Sequence, residues 1–170
     1  MKPNLIIIGA QKCGSSSLHQ YLNFHPEISM SSFKELDYFV ESINWKNGPE
    51  WYESKFQGKE TIHGETSPSY TMFPHFPGVP KRMHDYLPEA KLIYIVRDPI
   101  DRIISHFLHQ WYKKRQDTPS IDNLADLENT RNKHYLHTSS YYLQLSQYIE
   151  YYDISRILVI NLESLKLDRR

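Results

Sequence analysis

The segment that most constrains this chain is Leu5-Ile6-Ile7-Ile8-Gly9-Ala10-Gln11-Lys12-Cys13-Gly14-Ser15-Ser16-Ser17-Leu18. A short apolar run stops at a glycine. A loop with a lysine and a second glycine follows, then three hydroxyls, then a helix-like pattern. Nearly continuous Ile and Leu suit a strand covered on both faces, as in a parallel sheet. A strand feeding a helix through such a loop aims backbone N–H groups at one point, and the helix dipole favours an anion there. An ordinary turn that uses glycines for positive φ is the competing reading. Lys12, Gly14 and the hydroxyls of Ser15, Ser16 and Ser17 all fall where the helix begins, which favours anion binding. Lys12 lies two residues before Gly14, so the triphosphate loop GxxxxGK[ST] is nearly present and then missed.

Three further apolar runs read as strands: Thr61–Gly64, Leu92–Val96 and Ile157–Ile160. Helical patterns lie between them. Ser16–Phe24 begins with hydroxyl caps and ends before His25-Pro26. Asp98-Pro99 opens a helix whose apolar residues Ile100, Ile103, Ile104, Phe107, Leu108 and Trp111 share one face. Tyr141, Leu145, Tyr148, Ile149 and Tyr152 mark a third. The alternation predicts an α/β fold, P-loop-like, with three α/β/α layers around a central parallel sheet. Glu41–Gly58 reads as a loop with a short helix. Lys113–His137 reads as a polar surface excursion or lid, or in part an exposed helix.

A length of 170 residues suits one domain. Lysine plus arginine equals aspartate plus glutamate at 20 each, which leaves no bulk electrostatic case for nucleic acid or an anionic membrane. The single Cys13 permits a reducing compartment. With no apolar run near the ~20 residues of a membrane span, and a strand almost at the N-terminus, the expectation is a soluble cytoplasmic protein.

Three more segments carry chemistry-bearing residues. Arg97 ends the Leu92–Val96 strand, where open α/β sheets bind ligands. Arg102 and Ser105 follow on the next helix, read as the side away from its apolar stripe. A surface Arg–Asp pair is the alternative there. Phe33-Lys34-Glu35-Leu36-Asp37-Tyr38-Phe39 offers a carboxylate as a general base; on spacing alone it equally describes a solvated Lys–Glu pair beside buried aromatics. Gly64-Glu65-Thr66-Ser67-Pro68-Ser69-Tyr70 reads as a strand end with turn chemistry. The scattered histidines, including His106 and His109, complete no metal set, so no metal is expected.

Taken in order, these segments resemble the sulfotransferase family that uses 3′-phosphoadenosine-5′-phosphosulfate (PAPS), particularly its heparan sulfate and bacterial branch. Gly9–Leu18 looks like the family's 5′-phosphosulfate loop, with His25-Pro26 behind it. Lys34–Phe39 is similar to its KE-x-x-[FY]-F segment, and Glu65–Tyr70 to its EK[ST]PSY turn. Arg97-Asp-Pro-x-x-Arg102-x-x-Ser105 looks like its 3′-phosphate motif. Tyr141–Leu145, Ile157–Ile160 and Glu163 resemble its later helix and strand. The resemblance implies a single domain over 1–170 that moves a sulfuryl group from PAPS to a hydroxyl or amine of a small-molecule or carbohydrate acceptor, releasing adenosine 3′,5′-bisphosphate (PAP). Lys12 would contact the 5′-phosphosulfate, with Gln11, Cys13, Gly14, Ser15, Ser16 and Ser17 around it. Arg97 and Ser105 would hold the 3′-phosphate. Glu35 would act as base, with Asp37 as a second catalytic polar group.

Two departures qualify these expectations. Thr66 stands where many relatives carry a lysine that helps bind an anionic sugar, which argues against a heparan-like acceptor. Relatives also usually continue ~80 residues or more past the position of Arg170, with a basic loop that closes over PAPS. The domain is therefore expected to be C-terminally short: a fragment, a domain completed by a partner, or a minimal form. The alternatives are a truncated non-catalytic nucleotide-binding relative and a P-loop nucleotide kinase or NTPase.

Overall fold

A computed structural model describes residues 1–114 and 130–167. Its centre is a five-stranded, wholly parallel sheet of β1 (Leu5–Gly9), β2 (Ile28–Met30), β3 (Ile62–Thr66), β4 (Lys91–Val96) and β5 (Ile157–Asn161), in the order β2-β3-β1-β4-β5. Helices α1 (Ser15–Asn23), α2 (Gly48–Glu53), α3 (Val79–Tyr86), α4 (Pro99–Lys114), α5 (Thr130–Ser139), α6 (Tyr141–Ile149) and α7 (Leu162–Leu167) connect and cover it. The expected α/β class and parallel sheet are what the chain adopts.

β1 lies between β3 and β4 and is buried along its whole length, as its unbroken apolar run requires. Burying three consecutive isoleucines contributes roughly 1.5–3 kcal/mol each. The chain order reverses direction across β1: β2 and β3 lie on one side, β4 and β5 on the other. Because every strand is parallel, all five C-terminal ends lie along one edge, and open α/β sheets bind ligands at such an edge where the strand order reverses.

The structure corrects several expectations. β3 runs two residues further than Gly64, so Glu65 and Thr66 belong to the strand. β2, α3 and α7 were not visible in the sequence pattern. The Ile157–Ile160 run suggested a strand covered on both faces, yet Leu158 is 56% and Val159 44% exposed. Among the described residues β5 pairs with β4 alone. The apolar stripe of α4 is not its buried face either: Ile100 is 66% exposed, while Arg102 and His106 are fully buried. The reason is α5. Arg102 donates from Nε to Ser139 Oγ, from Nη2 to the Tyr135 carbonyl at 2.8 Å, and meets His106 Nδ1 at 3.2 Å. Residues 130–137 of the expected surface excursion thus lie in a helix packed on α4, with Asn132 and Tyr135 buried. The part of that excursion from 115 to 129 lies outside the described residues.

The α4–α5 contact carries a pH signature. Burial foremost, then Arg102, pushes the His106 imidazole down to about 3. Burial, then His75 and Arg102, pushes His134 down to about 4. The unfolded chain binds protons at these sites near the ordinary 6.5, so their stabilisation is whole above that pH and is lost as pH falls toward 4 and 3. The thermal midpoint should therefore drop between pH 6.5 and 4.5, and His134→Phe should shrink that drop by about 4 °C. An unchanged slope in scanning calorimetry would count against this account.

Candidate active site

The loop from Ala10 to Gly14 starts where β1 ends. The Ala10 N–H bonds the Ile95 carbonyl of β4 at 2.8 Å, which fixes the loop between the two central strands. Lys12 is left-handed at φ 68 and Gly14 at φ 87. A Cβ on Gly14 would meet Leu162 Cδ1 of α7 at 2.9 Å, so glycine is required by conformation and by space. The hydroxyls do not cap α1 as expected. Gly14 is the N-cap and no side chain bonds there. The first-turn amides of Ser15, Ser16 and Ser17 consequently have no intrahelical partner, which is the arrangement an anion uses. Ser15 is buried; Ser16 and Ser17 are exposed.

Arg97 follows β4 and reaches back over this loop. Its Nη1 donates to the Lys12 carbonyl at 3.4 Å and its Nη2 to Asp101 Oδ2 at 3.1 Å. Its Nε is buried with no partner among the described residues, as is Gln11 Oε1 beside Lys12. Buried polar groups are rarely left so, and an unsatisfied guanidinium N–H next to the loop is a donor available to a ligand's acceptor. Asp101 is largely exposed, so its pairing with Arg97 is weak and displaceable. Ser105 is half-buried one turn beyond Asp101 on the same helix face. Arg102 does not join the site, being turned into the α4–α5 contact. α7 closes the far side, where Glu163 Oε1 accepts from the Asp98 N–H at 3.4 Å. Burial, more than any neighbour, pushes the Cys13 thiol up, so it stays protonated within the loop.

The Lys34–Phe39 loop lies beyond β2. Lys34 Nζ bonds Ser16 Oγ in the first turn of α1 and stands 3.9 Å from Glu35 Oε1. This single ammonium links the anion loop to the carboxylate. The Glu35 side chain is 61% exposed, open to an incoming molecule. Both Glu35 (φ 59) and Asp37 (φ 48) are left-handed, which costs a non-glycine residue on the order of 1–3 kcal/mol. Burial pushes the Asp37 carboxyl up; a hydrogen bond from Ser69 opposes this, and Glu35 adds to it. Tyr38 and Phe39 are buried, as the aromatic pairing suggested.

Beneath this loop sits a group the sequence reading passed over. Glu65 is completely buried and accepts three hydroxyl hydrogen bonds, from Tyr52 at 2.6 Å, Tyr70 at 2.8 Å and Ser67 at 3.1 Å. Burial pushes its carboxyl up to about 7 against those bonds. Two of the donors lie within Glu65–Tyr70 and were readable as a signal; Tyr52, on α2, left none. Thr66 is also buried, with its Oγ1 2.9 Å from His19 Nδ1.

The fold and these loops define an α/β domain with a glycine-containing loop, Lys12 and Arg97 at the C-terminal edge of a parallel sheet, and an exposed carboxylate, Glu35, paired with Lys34. A family model described as "Sulfotransferase domain" matches residues 2–170, and the chain belongs to the sulfotransferase family. It is 37% identical over 124 residues to a membrane-associated sulfotransferase of Dictyostelium discoideum, covering 69% of this chain and 25% of that protein. It is 32% identical over 168 residues to human heparan sulfate glucosamine 3-O-sulfotransferase 5, covering 94% of this chain and 47% of that one. A bacterial sulfotransferase structure from Alicyclobacillus acidocaldarius superposes with a TM-score of 0.85 at 29% identity, over 99% of this chain and 76% of that one. The chain therefore spans a quarter to just under half of these two curated relatives. Among the described residues no helix is long and apolar enough to cross a membrane.

Proposed function

We propose that residues 1–170 act as one domain that moves a sulfuryl group from PAPS to a hydroxyl or amine of a small-molecule or carbohydrate acceptor, by in-line displacement with Glu35 as general base. The observation that carries this reading is the convergence at one sheet edge: Arg97 bonded to the Lys12 carbonyl, and Lys34 joining Ser16 to Glu35. PAPS supplies an activated sulfuryl group when bound. Lys12, the orphaned amides of Ser15–Ser17 and the backbone opened by Gly14 would hold its 5′ end, flanked by Gln11 and Cys13. Arg97 Nε, with Ser105 along α4, would hold its 3′-phosphate.

Glu35 then takes the proton of the attacking hydroxyl or amine as its oxygen or nitrogen bonds sulfur. The bond from sulfur to the phosphate oxygen breaks, and Lys12 neutralises the charge that develops there. Lys34 orients the Glu35 carboxylate, and most of the acceleration is positioning and electrostatics. Buried Thr66 brings no cation to the acceptor side, which favours an acceptor less anionic than heparan. The free, buried Cys13 agrees with a reducing, cytoplasmic setting.

Isothermal titration tests the donor assignment. PAP should bind without magnesium, and ATP should bind at least about tenfold more weakly with or without it, since the loop lacks the Lys-Ser/Thr pair that a magnesium triphosphate needs. Magnesium-dependent ATP binding with no response to PAP would overturn it in favour of a nucleotide kinase or NTPase.

A further inference from the structure

We infer that Glu65 is the positioning residue of this site: from beneath, through two hydroxyls, it holds the backbone amides that set the direction of Glu35 and Asp37. The inference rests on the assignment of Glu35 as base. Three alternate amides of the Lys34–Phe39 loop are tied to the β3 end. The Glu35 N–H donates to the Thr66 carbonyl at 2.8 Å. The Asp37 N–H donates to Ser67 Oγ at 3.1 Å, and the Ser67 hydroxyl in turn donates to Glu65 Oε2 at 3.1 Å. The Phe39 N–H points to the Tyr70 hydroxyl at 3.5 Å, and that hydroxyl donates to Glu65 Oε1. Each serine or tyrosine hydroxyl can donate one proton only. A carboxylate acceptor beneath them uses both protons, so both oxygens are left turned outward as acceptors for the loop amides. Glu65 thus decides the polarity of the two relays.

The need for such a device is visible in the loop. Glu35 and Asp37 both stand at positive φ without being glycine, a conformation that persists only where the surroundings over-determine it. Asn44 Nδ2 on the Leu36 carbonyl and Arg82 Nε on the Phe39 carbonyl, each at 2.8 Å, hold the loop's acceptors while the Glu65 relays hold its donors. A purely structural carboxylate would be a poor choice at this depth, since burial alone disfavours its charge. The titratable groups that influence Glu65 are Tyr52 of α2, Tyr70 of the following turn, Asp37 of the loop and Tyr148 of α6. As Glu65 gains a proton below about 7, one oxygen becomes a donor and a relay must reverse.

Amide hydrogen exchange and transfer kinetics on the full 170-residue chain test this together, using radiolabelled PAPS and the best acceptor from a phenol, a hexosamine and a glycolipid. In Ser67→Ala the Asp37 amide should lose protection about tenfold, while the Glu35 amide, bonded to backbone, keeps it. In Glu65→Gln, which turns one of the two oxygens into a donor, one of the Asp37 and Phe39 amides should lose protection. In both variants kcat should fall about tenfold to a hundredfold, with the PAP dissociation constant within about twofold of the parent. Glu65→Gln should also lack the decline of kcat between pH 8 and 6 that protonation of Glu65 causes in the parent. A merely structural Glu65 would lower the melting point and leave kcat and its pH profile alone, and that result overturns the inference. Unchanged protection of Asp37 in Ser67→Ala overturns the anchoring while leaving the assignment of Glu35 standing. Parent-like turnover in Glu35→Ala overturns the base itself, whatever the exchange data show.

Discussion

Glu35→Gln should lower kcat by about 10²–10⁴-fold while PAP affinity stays within about twofold of the parent. The substitution keeps shape and volume, and the backbone bond from the Glu35 amide to Thr66 does not involve the side chain. Among the described residues the carboxylate is linked to the Gly9–Ser17 loop through Lys34, at 3.9 Å. Removing its charge therefore takes away the proton acceptor and leaves Lys12, Gly14 and Arg97 in place. Asp37→Asn is the informative companion. Asp37 is less exposed and hydrogen-bonded by Ser69, and burial pushes its carboxyl up. Its loss should cost less than that of Glu35. The reverse order in single-turnover transfer would hand the proton to Asp37. A large fall in PAP affinity for Glu35→Gln, with kcat intact, would remove Glu35 as base.

Much of this arrangement is legible in the amino-acid sequence. β1 and the Gly9–Ser17 loop announce themselves because three independent signals coincide within a few residues: an apolar run, paired glycines and a cation before hydroxyls. Arg97 is legible because its strand is unmistakable and parallel strands put ligands at their C-terminal ends. What failed to show is what depends on neighbours distant in sequence. Arg102 and Ser105 are three residues apart, a spacing that puts both on one helix face away from the apolar stripe. Only the position of α5 reveals that Arg102 points into the protein, toward Ser139 and Tyr135. α5 has a polar sequence, and two of its buried residues, Tyr135 and Ser139, accept from that arginine. Glu65 read as part of a turn because its depth is created by Tyr52, thirteen residues upstream on another element. In each case local pattern located the element, and tertiary pairing decided which side of it mattered.

The same division explains why the two anion elements belong to one site. Lys12 and Arg97 are 85 residues apart, yet the reversal of strand order at β1 sets their strands side by side. The loop after β1 and the residue after β4 are consequently neighbours by construction. The Lys34–Phe39 loop is brought in from the other direction, beyond β2, and meets both the first turn of α1 and the end of β3. Under the proposed function, the groups assigned to the donor and the assigned base thus reach the α1 N-terminus from different strands of the sheet.

Lys12 is the residue whose loss should damage both functions. A charged hydrogen bond to a phosphate oxygen is worth about 1.5–3 kcal/mol, so Lys12→Met should weaken PAP binding roughly tenfold to a hundredfold. Turnover should fall further, by about 10²–10³, because the ammonium acts where charge grows as the bond to sulfur breaks. Lys12→Arg should restore binding in part and turnover little, since a planar fork cannot replace a point charge on a short left-handed loop. The φ of 68 at this position adds an independent check. Lysine is strained there and glycine is not, so Lys12→Gly trades about 1 kcal/mol or more of strain against the entropy glycine loses on folding. Its melting point should not fall below the parent's, although turnover does. A variant that loses turnover only in proportion to lost stability would show that Lys12 shapes the loop without acting on the ligand.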